Sequence, residues 1–430
     1  MINMKTYINP AKNSWSKITQ RPAKESSALG TTVKSVFDEV KAEGDKALTR
    51  FTEKFDGVTL SNLKVSNQEL EEAIPLVSEE LKAAIVLAKN NIETFHASQR
   101  IEKKVISTAN GVKCWQETKP IEKVGLYIPG GSAPLFSTIL MLGVPAKIAG
   151  ATKIVLCTPP SKEGTINPAI LYAAQLVGVT EIYKLGGIQA VAAMTYGTES
   201  VPSVYKIFGP GNQYVTAAKQ FALTQGLAID MPAGPSELMV VADKDADPGF
   251  VVSDLLSQAE HGTDSQVILV TESQKLIDDV QLELDKQLGQ LPRKEIALEA
   301  IKNSSAILIE SIVDQNEMIN EYAPEHLILN VLNEDVYLSE IVNAGSVFIG
   351  PLTPESAGDY ASGTNHTLPT NGYARMYSGV NLDAFTKKIT YQKISEEGIK
   401  SIGPAIELMA AAEGLDAHKN AVTLRLKSLK

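Results

Sequence analysis

Cysteine is nearly absent: the 430 residues hold two, Cys114 and Cys157, far apart and without a CxxC pair. A zinc ribbon or a disulfide framework is thereby excluded. Each thiol reads as a strand residue rather than a nucleophile, following the burial habit of free cysteine. Long apolar runs are missing too. No stretch approaches the roughly 18 residues that a membrane span needs, and the first fifteen residues lack the apolar core of a signal peptide. A cytoplasmic protein with no membrane partner is expected. Positive charge is in deficit, with 40 Lys and Arg against 50 Asp and Glu and a formal charge of −10. That balance argues against nucleic acid as a partner, because neutralising phosphates takes a basic surface. Histidine is scarce as well, at five.

What is present is ordinary globular composition, 44% apolar and 21% charged, in a chain long enough for two or three compact units. Residues 1–24 are polar and without a period, and read as an arm. Val33, Val36, Phe37 and Val40 fall at helical spacing, as do Leu81, Ile85, Ala88, Ile92 and Phe95. A hairpin should follow, turning at Asn110-Gly111 in a type I′ turn. From residue 124 short apolar runs alternate with Ala-rich helical stretches: VGLYI at 124–128, KIVLC at 153–157 and EIYKL at 181–185. A second set runs LMVVA at 238–242, QVILVT at 266–271, AILIE at 306–310, HLILNV at 326–331 and SVFIG at 346–350. This is βαβ grammar, and it predicts two α/β units with parallel sheets and ligand crevices at the carboxyl ends of the strands. A helix should start at Asp247-Pro248, with an acidic cap and a first-turn proline, and run to His261. The last fifty residues read as helical, ending in an amphipathic stretch from about Asp416 to Leu426.

The histidines are the natural starting point for chemistry. His96 sits on an amphipathic helix and reads as structural; His261, His326, His366 and His418 stand at element ends or in loops, where function concentrates. Gln258 and His261 are three apart, so both project from one helix face. Glutamine is nevertheless a rare metal ligand, and the bare spacing is also what coincidence produces. Glu325-His326 opens a strand, and a carboxylate beside an imidazole suits proton transfer, although adjacent Glu-His pairs are common. The loop Pro351–Pro369 places Glu355, Asp359 and His366 among glycines and serines, either as a binding site or as mobile surface. Glu413 and His418 flank Gly414, where a solvated tail is the default. Gly-rich turns at 130–131, 186–187 and 209–212 follow strands and can hold a phosphate on backbone N–H groups. None completes G-x-G-x-x-G, because Tyr214 stands where the third glycine belongs.

Taken in order, VGLYIPGG (124–131), GGIQAVAAMTYG (186–197), FGPGNQYV (208–215), IDMPAGPSE (229–237), QAEHG (258–262), YAPEHL (322–327), SAGDYASGTNHTLPT (356–370) and EGLDAHKNA (413–421) resemble the histidinol dehydrogenase family from about residue 25 to the end. The resemblance implies an α/β fold of two incomplete Rossmann-like parallel-sheet domains with N- and C-terminal helical extensions. Its divisions would be an arm at 1–24, a discontinuous domain of 25–123 and 237–380, a dinucleotide-contacting domain at 124–236, and a tail at 381–430. It implies oxidation of L-histidinol to L-histidine through L-histidinaldehyde with two NAD⁺ and one Zn²⁺ per subunit. Gln258, His261, Asp359 and His418 would be the zinc ligands, and Tyr127, Gln189 and Asn212 the NAD contacts. Ser236, Glu355, His366 and Glu413 would meet the substrate, together with His326 and the ligand set. Glu325 and His326 would be catalytic, and the tail would carry Glu413 and His418 across a homodimer. Two alternatives are a dehydrogenase of another small alcohol or diol on the same scaffold, and a zinc hydrolase in which Glu325 activates water.

Overall fold

A computed structural model describes residues 4–22, 27–130, 134–232 and 234–429. Two parallel sheets dominate it. The first has five strands in the spatial order Glu181–Lys184, Lys153–Thr158, Lys123–Tyr127, Lys206–Phe208 and Ala228–Ile229. Counted along the chain this is 3-2-1-4-5, the doubly wound order with its sixth strand missing. The second sheet repeats that order with Ser305–Leu308, Gln266–Thr271, Glu237–Ala242, His326–Asn330 and Ser346–Ile349. Its outer edge is capped by Lys5–Ile8, parallel to Ser305–Leu308. The stretch read as an arm thus carries a strand, anchored by buried Met4 and Trp15.

The apolar runs form strands because helices cover both faces of each sheet. Every residue of Glu237–Ala242 and Gln266–Thr271 is buried, which is why these segments show continuous rather than alternating hydrophobicity. The helix Ser27–Glu43 buries Val33, Val36, Phe37 and Val40 as its spacing predicts. On Glu79–Ala97, Ile85, Ala88 and Ile92 are buried while Phe95 is not. His96 lies in the core, its Nδ1–H donating to the Ile92 carbonyl at 2.9 Å.

Three local expectations change. The hairpin Val105–Ala109/Val112–Pro120 forms, but only Gly111 (φ 74°) has positive φ. A type I′ turn needs it at both central residues, so the turn is of another kind, and a register shift between Ser107 and Ala109 absorbs the mismatch. The tail is not helical throughout: Thr386–Ile394 is a strand, antiparallel to Val112–Pro120, and completes a three-stranded sheet. Helices Glu396–Ala412 and Asp416–Ser428 follow. The helix from Pro248, capped by Asp247, ends at Ala259 and leaves His261 just beyond it.

Candidate active site

The two sheets face each other across strand ends. The carboxyl ends of the first face the amino ends of the second, and a cleft of about 790 Å³ lies between them. Pro129 and Pro210–Gln213 line it from the first sheet; Ser236, Glu325 and His326 line it from the second, with Gln258, His261, Asp359 and His366 around them. The crevice rule therefore holds for the first sheet and is reversed in the second, whose site residues open their strands.

Local structure explains how Glu325 and His326 get there. The helix Ile312–Tyr322 stops at Ala323, which adopts φ 52°, and Pro324 turns the chain into the strand His326–Asn330. The neighbouring strand can come close because residue 345 is glycine; a Cβ there would press on the Glu325 carbonyl. Glu325 is 6% and His326 4% exposed. A carboxylate oxygen of Glu325 accepts the Glu237 N–H at 3.0 Å. His326 Nδ1 lies 3.3 Å from the Glu237 carbonyl, which can only accept, so Nδ1 carries the proton. Nε2 then keeps its lone pair, and it is buried without a partner, 3.7 Å from Asp359 Oδ1. Burial drives this imidazole down to about 4, against the pull of Asp359, so it is neutral near pH 7. A neutral ring with one free nitrogen facing a cleft is a proton acceptor.

The carboxylates around it are short of positive charge. Glu325, Glu355 and Asp359 converge on His326, and Glu355 is 1% exposed. Burial pushes both Glu325 and Glu355 well above the usual carboxylate range. No Lys or Arg lines the cleft among the described residues. Such a cluster suits a cation. One set of ligand atoms, from His326, Glu355 and Asp359, lies within 4.8 Å of one another. Gln258 is fully buried, and its hydrogen bonding assigns the amide nitrogen to Glu355 and the oxygen to the Glu237 N–H at 3.2 Å. That oxygen retains a second lone pair. His261 is exposed at the rim.

The loop at 351–369 is pinned, not mobile surface. Residues Ala357–Ala361 form a π-helical turn that carries Asp359, a local geometry frequent at functional sites. Asn91 holds the Ala361 carbonyl at 2.8 Å and Asn365 the Met141 carbonyl at 2.6 Å. His366 is fixed between the Asp359 carbonyl (2.9 Å) and the Thr138 hydroxyl (3.1 Å). Glu413 and His418, by contrast, are exposed on the tail and do not line the cleft of their own chain.

A second cleft, about 860 Å³, opens along the carboxyl edge of the first sheet and is lined by Tyr127, Gln189 and Asn212. It adjoins the first at Asn212 and Tyr214, which line both. Asn212 caps the helix Gln213–Thr224, accepting from Tyr214 N–H at 3.0 Å, and the Tyr127 hydroxyl accepts from Gly187 N–H at 3.1 Å. Two buried polar atoms on its wall, Gln189 Oε1 and Thr158 Oγ1, have no partner, which fits a polar ligand such as a dinucleotide.

A family model for histidinol dehydrogenase matches residues 19–426. The chain belongs to the histidinol dehydrogenase family. It is 61% identical over 427 residues to histidinol dehydrogenase of Bacteroides thetaiotaomicron, covering 99% of this chain and all of that one. Against the Escherichia coli histidinol dehydrogenase the identity is 51% over 417 residues, or 96% and 95% of the two chains. The crystal structure of histidinol dehydrogenase from Elizabethkingia anophelis superposes with a TM-score of 0.97 at 58% identity, covering 99% and 98%. The family's chemistry makes this chain an oxidoreductase. No helix among the described residues is long and apolar enough to cross a membrane.

Sequence reasoning missed the groups that hold the site from behind. Glu237 is buried in an ion pair with Arg21, whose guanidinium also donates to the Tyr322 carbonyl at 2.7 Å and lies 4.0 Å from that ring. An acid opening an otherwise apolar run was the available signal. Lys219 and Asp230 form a second buried pair; Lys219 donates to the Gly209 carbonyl and Asp230 accepts the Gly209 N–H, both at 2.8 Å. They clamp the turn that presents Asn212, and breaking such a pair costs about 3–5 kcal/mol.

Proposed function

We propose that this chain oxidises L-histidinol to L-histidine through L-histidinaldehyde, as the last steps of histidine biosynthesis. The end-to-end match to histidinol dehydrogenases carries this reading. The balance is RCH₂OH + H₂O + 2 NAD⁺ → RCOO⁻ + 2 NADH + 3 H⁺. His326 Nε2 takes the hydroxyl proton in the first oxidation, and Glu325 takes a proton from the water that adds to the aldehyde. Tyr127, Gln189 and Asn212 would hold NAD⁺, which when bound would supply the hydride acceptor for both half-reactions. Gln258, His261, Asp359 and His418 would hold zinc, which would supply a template for the substrate's nitrogens. Ser236, Glu355, His366 and Glu413 complete the substrate's surroundings. The buried, unpartnered Nε2 and the cation-poor carboxylate cluster support these roles.

The test is the NADH formed per L-histidinol consumed by zinc-loaded protein. Two NADH with histidine as product is expected. One NADH with free aldehyde would remove the role given to Glu325, and no turnover would move the assignment to another alcohol.

The functional unit in this reading is a cytoplasmic homodimer. In this reading 381–430 is a tail that delivers Glu413 and His418 to the partner's site; the helices between residues 27 and 97, which the expected divisions join to 237–380, bury their apolar faces against the unit built on the first sheet. The helix Asp416–Ser428 buries none of its residues within the chain, which supports a role outside it. Inactive His418→Ala and inactive His326→Ala chains, mixed in equal amounts and allowed to exchange, should regain up to about a quarter of wild-type activity, because half of the dimers are mixed and each mixed dimer has one intact site. No recovery despite proven exchange would assign the tail to its own chain.

A further inference from the structure

In the doubly wound sheet, a carboxylate near the end of the second strand commonly takes the hydroxyls of the adenosine ribose. Here that strand, Lys153–Thr158, runs into Pro159-Pro160-Ser161 and offers no acid. One arrives from elsewhere. Asp56 is the last residue of the helix Asp45–Asp56 and lines the second cleft beside Thr158 and Gln189. Its Oδ2 accepts from Gln189 Nε2 at 3.3 Å. Its Oδ1 lies 3.1 Å from where a Cβ on Gly186 would sit, against the same turn that Pro159 packs on.

Asp56 is costly where it stands. The C-terminal end of a helix favours cations, and a carboxylate there opposes the helix dipole. It is half-buried, and among the described residues no ion pair compensates it; burial pushes it up to about 6. A local choice that works against the element carrying it usually serves function. The neighbouring atoms supply the complement: the unpartnered Thr158 hydroxyl can donate, and the unpartnered Gln189 Oε1 can accept. With the carboxylate they form a site for a vicinal diol. No Lys, Arg or His lines this cleft among the described residues, so a phosphate on that diol would find repulsion and no counter-charge.

We infer that Asp56 selects the dinucleotide: its carboxylate accepts the hydroxyls of the adenosine ribose and turns away a 2′-phosphate. This rests on the dinucleotide reading of the cleft. The test is equilibrium binding, by calorimetry on the zinc-loaded full chain, of NAD⁺, NADP⁺ and NAD⁺ lacking the adenosine 2′-hydroxyl. Wild type should bind NAD⁺ at least about 10-fold tighter than the deoxy analogue, as a hydrogen bond to a charged group implies, with NADP⁺ weaker still. Asp56→Asn should bind NAD⁺ about 10- to 100-fold more weakly and discriminate little among the three. Its melting temperature should not fall, because the substitution removes a charge the helix end disfavours. Asp56→Ala should behave alike. Unchanged NAD⁺ affinity and an unchanged deoxy penalty in both variants would overturn the role of Asp56 while leaving the dinucleotide cleft standing. A wild-type chain that binds none of the three would overturn both.

Discussion

Replacing His326 by asparagine should lower kcat by about 10²–10⁴-fold, the usual contribution of a positioned general base, while zinc content stays near one per chain. The argument is geometric. Nδ1–H is engaged by the Glu237 carbonyl, so Nε2 is the basic nitrogen, and burial keeps it neutral and unpartnered at the cleft. Asparagine can still donate to that carbonyl and fills much of the ring's volume, so the sheet that His326 opens should persist. It has no basic nitrogen. Zinc analysis of the same variant decides a second question. His326, Glu355 and Asp359 bring ligand atoms together, and a loss of zinc in parallel with activity would make His326 a ligand and displace it as the base.

Most of the fold was readable because parallel strands covered on both faces leave continuous apolar runs. All eight runs named from sequence are strands in the structure. The missed strands lack that signal for physical reasons. Lys206–Phe208 and Ala228–Ile229 have three and two residues, too few to show a pattern. Lys5–Ile8 is an edge strand with most of its residues exposed. Thr386–Ile394 is largely solvent-facing, and its register is set by a partner strand more than 260 residues earlier.

The site divides along similar lines. The spacing of Gln258 and His261 predicts a shared helix face; His261 lies past the helix end, yet both line one cleft. Nothing local says that Asp359 and Glu355 will meet His326. That follows from sheet order, which sets His326–Asn330 beside Glu237–Ala242 and brings the 351–369 loop over its amino end. The reversed polarity of this site was not legible either, since the crevice rule describes single sheets and the cleft belongs to two. Arg21 escaped notice because it lies in the stretch read as an arm without a period, and Asp56 because no apolar pattern marked an element between residues 41 and 80.

Replacing Glu325 by glutamine should separate the two oxidations. The amide oxygen can still accept the Glu237 N–H that the carboxylate holds at 3.0 Å, so the strand entrance and the orientation of His326 are kept. What is lost is a base. Burial raises Glu325 well above the ordinary carboxylate range, and a carboxylate with a raised pKa is a stronger proton acceptor once ionised. Hydration of the aldehyde needs that acceptor; removal of the alcohol proton, assigned to His326, does not. NADH yield per histidinol should therefore fall from two towards one, with aldehyde accumulating. Supplied directly, the aldehyde should be oxidised about 10²-fold or more slowly, while the first oxidation drops far less. An equal loss in both steps would place Glu325 beside Arg21 and Glu237, as part of the frame that orients His326.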